Sequence, residues 1–303
     1  MIKSLTITNY LGDSIKLELM DPASSGFIVK SIDGLGPTKA NINTSTRAMS
    51  DGSVYNSARL DSRSIVLSLG FLQSAKESIE DVRHKSYKYF PIKKKVSIVI
   101  ETDRRLLEAE GYVEANEPDI FSNEEGCSIT INCPDAYLYS KNLQKTTFSG
   151  IEPAFEFPFI NESLDEPLLE FSLIKIKTEG TVYYKGDSEI GVEITIHAIG
   201  EASNVKIFNL ATRDSMSIES SKLITLTGSD IKAGDTIIIT TTKGNKSATL
   251  IRDGKRINIL NCLNRDAEWF NLALGDNLFA YSAEKGSTNL QFAVVNRIAY
   301  EGA

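Results

Sequence analysis

The stretch TIIITTTKGNKSATLIRDGKRINIL, residues 236–260, decides the fold class of the second half of the chain. It holds three strand-like segments, at 236–242, 247–252 and 256–260. Lys243-Gly244-Asn245-Lys246 joins the first two, and Asp253-Gly254 joins the last two. Asp-Gly between apolar alternations favours a type I′ turn, because both central residues tolerate positive φ. Working outward, TVYYKG (181–186), GVEITIHAIG (191–200), VKIFNLAT (205–212) and SMSIES (215–220) read as further short strands. So does LLEFSLIKIKT (168–178), and LQFAVVNRIAY (290–300) supplies a last strand. Short strands at close spacing with turn signals, and no helical stretch, predict a β-sandwich or barrel.

The first half adds one helix to a similar texture. Leu5 and Ile7, then Ile15, Leu17 and Leu19, alternate around a turn at Leu11-Gly12-Asp13-Ser14. FIVKSIDGLGP (27–37), IVLSLG (65–70), VSIVIE (96–101), 106–114 and 126–133 are further strands, and Asp51-Gly52-Ser53 is a turn. Between them, Ser74-Ala75-Lys76-Glu77 fits a capping box. Leu72, Ala75, Ile79, Val82 and Phe90 then share a helical face, so a helix is expected over 74–90. Pro91 ends it. Over 145–167 three prolines and the aromatics Phe148, Phe155, Phe157 and Phe159 mark a crossing between domains, packed onto something apolar. The reading is mainly β: an N-terminal domain at 1–147, β-rich with one helix, and an all-β C-terminal domain at 148–303.

Composition narrows the function. The formal net charge is −7, which argues against a general nucleic-acid or anionic-membrane binder. It divides unevenly: residues 1–150 carry 18 basic and 19 acidic groups, residues 151–303 carry 15 and 21. Cys127, Cys133 and Cys262 are too few for a disulfide framework and read as reduced thiols. No apolar run reaches a membrane span, and no signal peptide opens the chain.

Chemistry-bearing motifs are missing. The only histidines are His84, in the helix, and His197, on the outward polar row of a strand with Glu193 and Thr195. There is no HExxH, paired CxxC or GxSxG, and Asn264-Arg265-Asp266-Ala267-Glu268 lacks the glycine of a calcium loop. Gly34-Leu35-Gly36-Pro37-Thr38-Lys39 and Gly244-Asn245-Lys246-Ser247 lack the setting of a phosphate loop. Glu124-Glu125 reads as solvated loop. Lys93-Lys94-Lys95 reads as a charged loop entering a strand, and Trp269 as a partly buried packing residue, not a sugar platform. The expectation is a protein that is no enzyme, with no catalytic, cofactor or metal residues.

DGSVYNSARLDSRSIVLSLGFL (51–72), with FIVKSIDGLGPTKANINTSTRAMSDG (27–52) before it and FEFPF at 155–159, resembles the N-terminal block of the phage distal tail (Dit) family of siphophages. EIGVEITIHAIGEASNVKIFNLATRDSMSIE (189–219) and the hairpins up to RDGKRINILNCLNRDAEWF (252–270) resemble that family's C-terminal domain. The resemblance implies a ring-forming N-terminal domain and a galectin-like C-terminal β-sandwich. It implies a virion protein made in the host bacterial cytoplasm, a hexameric baseplate hub at the tail tip. Its partners would be its own copies, the tail tube protein, a tail-associated lysin or tip protein and a receptor-binding protein. No membrane is involved, and DNA would only pass through the channel. The same part occurs in phage-derived tail-like particles. The alternative is a carbohydrate-binding module acting through the C-terminal sandwich.

Overall fold

A computed structural model describes residues 1–47, 51–75, 77–122, 124–153 and 172–303. The chain divides into two compact units, Met1–Asn142 with Ala299–Ala303, and Leu143–Ile298. The aromatics Phe155, Phe157 and Phe159 of the expected crossing lie outside the described residues.

The first unit is built on β1 (Ile2–Thr8), β2 (Ser14–Glu18), β3 (Phe27–Asp33), β4 (Ala40–Thr46), β5 (Ser53–Leu60), β6 (Arg63–Phe71), β7 (Lys95–Thr102), β8 (Leu106–Asp119), β9 (Gly126–Cys133) and β10 (Leu138–Ser140). Its main sheet runs β2-β1-β7-β8-β9-β6-β3, antiparallel throughout. The two end strands, β2 and β3, approach each other, so the sheet curls towards a barrel. Alternation does the rest: Leu5, Ile7, Leu17, Ile65, Leu67, Ile98, Ile100, Leu107, Ile129 and Ile131 all point inward and are fully buried.

The helix α1 (Ile79–Tyr89) packs against β6 and β8. It starts four residues later than its sequence suggests. Ser78 is the N-cap: its hydroxyl accepts from the Asp81 N–H at 3.2 Å, and the Asp81 carboxylate accepts from the Ser78 N–H at 2.9 Å. The Ser74 hydroxyl accepts from the Glu77 N–H at 3.1 Å and makes a separate turn ahead of the helix. The Glu77 carboxylate accepts from Lys85 at 2.6 Å instead of closing a box on Ser74, and the box at Ser78 starts the helix whose Val82 reaches the core. Phe90, fully buried, caps the other end before Pro91.

The second unit is a two-sheet sandwich. Its strands are β11 (Gln144–Thr147), β12 (Ser149–Pro153), β13 (Ser172–Ile176), β14 (Glu179–Tyr184), β15 (Ile190–Gly191), β16 (Glu193–Ala198), β17 (Lys206–Asn209), β18 (Asp214–Ser217), β19 (Thr236–Thr240), β20 (Ser247–Arg252), β21 (Lys255–Asn258), β22 (Asn271–Leu272), β23 (Gly275–Ser282) and β24 (Leu290–Asn296). One sheet runs β11-β24-β16-β19-β20-β21 and the other β14-β23-β17-β18. Tyr281 of β23 stacks on Phe292 of β24, with ring centroids 5.2 Å apart, and its buried hydroxyl donates to the Leu290 carbonyl at 2.8 Å. Phe148 packs on the same Phe292 at 4.9 Å. The β20–β21 turn is type I′, with Asp253 at φ +50° and Gly254 at φ +73°.

Two expectations fail here. Residues 220–227, SSKLITLT, are helix α2 (Ser220–Thr227), although the second half was expected to hold none. Tertiary bonds override its strand-like composition: the Ser220 hydroxyl accepts from the Asn204 N–H and donates to Asp230, and Leu223 is buried. The expected single strand at 290–300 is broken. β24 ends at Asn296, whose side-chain amide donates to the Arg297 carbonyl, and the chain resumes as β25 (Ala299–Tyr300), paired with β10 in the first unit.

Candidate assembly surface

The polar residues singled out in the sequence are absorbed by local structure. His84 is exposed, 3.7 Å from Glu80 and edge-on to Tyr87. His197 lies beside Thr236, with Nδ1 3.0 Å from the threonine hydroxyl across β16 and β19. Lys94 sits over the Tyr10 ring, Lys95 pairs with Glu110 at 2.7 Å, and the Lys93 N–H donates to the Val113 carbonyl. Glu124 pairs with Lys30 and Glu125 with Arg83. Asn264 accepts from the Ser217 N–H, holding the 264–268 turn to β18. Trp269 is half-buried with Lys246 above its ring at 5.2 Å.

The thiols are equally quiet. Burial pushes Cys127 up to about 12 and Cys133 up to about 11, so neither is a thiolate near neutrality. Cys262 is raised by burial as well. Among the described residues no group of three or more His, Cys, Asp and Glu could hold a metal ion. No helix among them is long and apolar enough to cross a membrane.

Gly34-Leu35-Gly36 has a role that is not phosphate binding. The carbonyls of Gly34 and Gly36 accept from the guanidinium of Arg63, which is only 1% exposed. Gly34 has φ +85°, and a Cβ there would collide with the Ser64 carbonyl, so only glycine fits.

The feature that stands apart is the β4–β5 hairpin. It forms a sheet of its own, paired from Ala40↔Leu60 to Thr46↔Ser53 with a bulge after Asn43. Followed through the bulge, the register puts Ala40, Ile42, Thr44, Tyr55, Ala58 and Leu60 on one face, and Asn41, Asn43, Ser45, Val54, Ser57 and Arg59 on the other. A ribbon with an apolar face normally packs that face inward. Here every β4 residue is exposed, and in β5 only Val54 is partly covered. Ile42 is 60% exposed and Tyr55 63%. Arg59 is the one charged residue of the two strands, so neither edge carries the charges that usually keep strands from pairing. A lone two-stranded ribbon is marginal in water, and this one has the chemistry of a surface completed by another chain. The signal was present in the sequence as fifteen strand residues with a single charge.

No family model matches the chain, and no curated protein matches its sequence significantly. Solved structures match its fold. The SPP1 Dit (gp 19.1) protein, a paradigm of the hub adsorption apparatus in phages infecting Gram-positive bacteria, aligns with a TM-score of 0.67 at 11% identity, over 98% of this chain and 100% of that one. A chain of the phage P2 baseplate in its activated conformation aligns with a TM-score of 0.52 at 10% identity, over 98% of each. The chain has the fold of a phage distal tail protein, the family its sequence resembles.

Proposed function

We propose that this chain is the distal tail protein of a phage tail or a phage-derived tail-like particle. Six copies form a hub ring that joins the tail tube to the host-adsorption apparatus. The observation that carries this reading is a shared fold that runs through both units and leaves nothing of the SPP1 hub protein unmatched. In this reading the first unit forms the ring, the second is the galectin-like domain, and the β4–β5 hairpin provides contact between copies. The role is structural and not enzymatic. Its partners are its own copies, the tube protein, and a tip or lysin protein with a receptor-binding protein beyond it. A closed ring needs a heterologous contact, one face meeting a different face of the next copy. Residues 1–150 carry 18 basic and 19 acidic groups, a near balance that lets copies meet through this part of the chain without strong repulsion.

Light scattering with size-exclusion chromatography tests it. Six copies of a 33.3 kDa chain give a species of about 200 kDa, reached as concentration rises. A dimer or trimer that persists when concentrated, held through the second unit, overturns the reading.

A further inference from the structure

The last five residues do not belong to the unit that precedes them. Ala299 and Tyr300 pair with Tyr139 and Leu138 of β10. The Arg105 guanidinium lies over the Tyr300 ring at 4.3 Å. The Glu301 carbonyl accepts from Arg63 at 2.7 Å, and the Ala303 N–H donates to the Leu35 carbonyl at 2.9 Å. Gly302 passes so close to Leu35 that a Cβ would stand 3.1 Å from its carbonyl oxygen.

Arg63 is the centre of this seat. It makes five hydrogen bonds of 2.5 to 3.0 Å: two to Ala136 and one each to Gly34, Gly36 and Glu301, all to backbone carbonyls. Among the described residues no carboxylate forms an ion pair with it. A buried guanidinium costs a great deal of solvation, and its planar fork is satisfied only when every acceptor is in place. Three acceptors become available once the chain has been made as far as residue 136. The fourth arrives only with residue 301, after the whole second unit.

We propose that the C-terminal pentapeptide is a clasp that closes the first unit, so that this unit is completed only after the whole second unit has been synthesised. The order of events is set by connectivity. Until Glu301 arrives, one donor of a buried cation lacks its partner, β10 has a free edge, and the loop at 34–36 lacks its bond to Ala303. The first unit is then open at the 34–36, 63 and 136–140 segments together. The inference concerns the folding of that unit and stands whether or not the chain forms a ring.

Hydrogen exchange read by mass spectrometry tests it on the full chain, on a chain stopped after Ile298, and on full-length Gly302→Val, which crowds the seat while keeping every other residue. In both variants exchange rises about tenfold or more in peptides covering 34–36, 63–71 and 136–140, and stays unchanged in those covering 236–258. If the stopped chain itself aggregates, Gly302→Val carries the comparison. First-unit protection equal to the parent's in either variant overturns the proposal, as does equal acceleration in both units of Gly302→Val. Arrested nascent chains give a second reading. Protease resistance of the first unit appears only when the linker lets residue 303 leave the ribosome, and resistance before that point overturns the proposal.

Discussion

Each unit holds an arginine at the centre of a bond network, Arg63 buried and Arg252 partly buried, and the two are satisfied by different chemistry. Arg63 in the first unit bonds only backbone carbonyls, drawn from loops at 34–36 and 136 and from the C-terminal tail. Arg252 in the second faces Asp235 in a two-point ion pair, at 2.9 Å from Nε to Oδ1 and 2.5 Å from Nη2 to Oδ2. It also donates to Thr227, Ser229 and the Asp230 carbonyl. Carbonyl acceptors neither titrate nor move independently of the backbone. Arg63 therefore fixes where three distant segments lie, whereas Arg252 ties helix α2 to the β19–β20 hairpin through a pair that acid can break.

Removing each arginine's chemistry should separate the two cases, and Arg63→Met has the largest effect. It removes five hydrogen bonds from a charged donor, each worth about 1.5–3 kcal/mol, so the loss reaches about 5 kcal/mol or more. That is a large share of a domain's stability, and the first unit should fail to fold while the second keeps its cooperative melt. Arg63→Lys restores the charge but not the planar fork, and should recover only part of the loss. Next comes Asp235→Ala, which leaves the partly buried Arg252 guanidinium without its counter-charge and costs about 1.5–3 kcal/mol, confined to the second unit. Equal damage to both units by either substitution, read by exchange or by two resolved melting transitions, breaks the comparison.

A pH titration sharpens it. Burial by itself would raise the Asp235 carboxyl, but the bonds from Arg252 and the Lys232 N–H outweigh it and hold the group below the usual carboxylate range. A depressed carboxylate stabilises the fold above its unfolded value of about 3.9, and that stability is lost as pH falls through the folded value. The Arg252–Asp235 network should therefore loosen in acid. The Arg63 seat has no titrating acceptor; burial lowers the guanidinium's own pKa, which ordinarily lies far above this range. At the alkaline end both units suffer. Burial raises Cys127 to about 12 and Cys133 to about 11 in the first unit, and Tyr281 to about 12 in the second. These groups stabilise below their unfolded values, and the stability goes as pH rises through the folded ones. Amide exchange measured per unit at pH 3, 7 and 11 checks both limbs.

A smaller effect, again limited to the second unit, comes from Gly254→Val. The φ of +73° is costly for a β-branched residue although no atom stands in the way of its side chain, so the loss is conformational, about 1–2 kcal/mol. An unchanged melt would mean that the turn can relax to another form.

What the sequence revealed follows the same division. Strands declared themselves wherever one face is buried, because a period of two is then enforced; 126–133 and the Asp253-Gly254 hairpin could be read residue by residue. Helix α2 could not, since Leu223, Ile224 and Leu226 suit a strand and only the bonds to Asn204 and Asp230 make them helical. The break after Asn296 was hidden for a similar reason. LQFAVVNRIAY keeps its apolar texture across the break, and nothing local says that Ala299 pairs with residue 139 and not with its sheet neighbours. The seat of Arg63 was beyond reach, because its acceptors are carbonyls that every residue possesses. Of the β4–β5 hairpin only the turn at Asp51-Gly52-Ser53 was legible; its strands are exposed on both faces, so no burial enforces a period of two.

The smallest effect on stability should come from that hairpin, and it bears most directly on function. Ile42 and Tyr55 are exposed, on the same face of the ribbon. Replacing either by Ser removes little packing within the unit, so the melting of the lone chain should shift by no more than about 0.5 kcal/mol. If the apolar face is covered by a neighbouring copy in the ring, Ile42→Ser exposes that contact and weakens assembly about tenfold or more. Tyr55→Ser opens the same face, which also bears Ala40, Ala58 and Leu60, and should weaken assembly in the same direction. Tyr183 of the second unit, 57% exposed on β14, is the matched control. Its replacement by Ser should leave the concentration dependence of the 200 kDa species of about six copies unaltered. Light scattering over a concentration series reads all three. Equal weakening by Ile42→Ser and Tyr183→Ser, or an intact ring with Ile42→Ser, removes the hairpin from the contact and returns the search to the edges of β2 and β3.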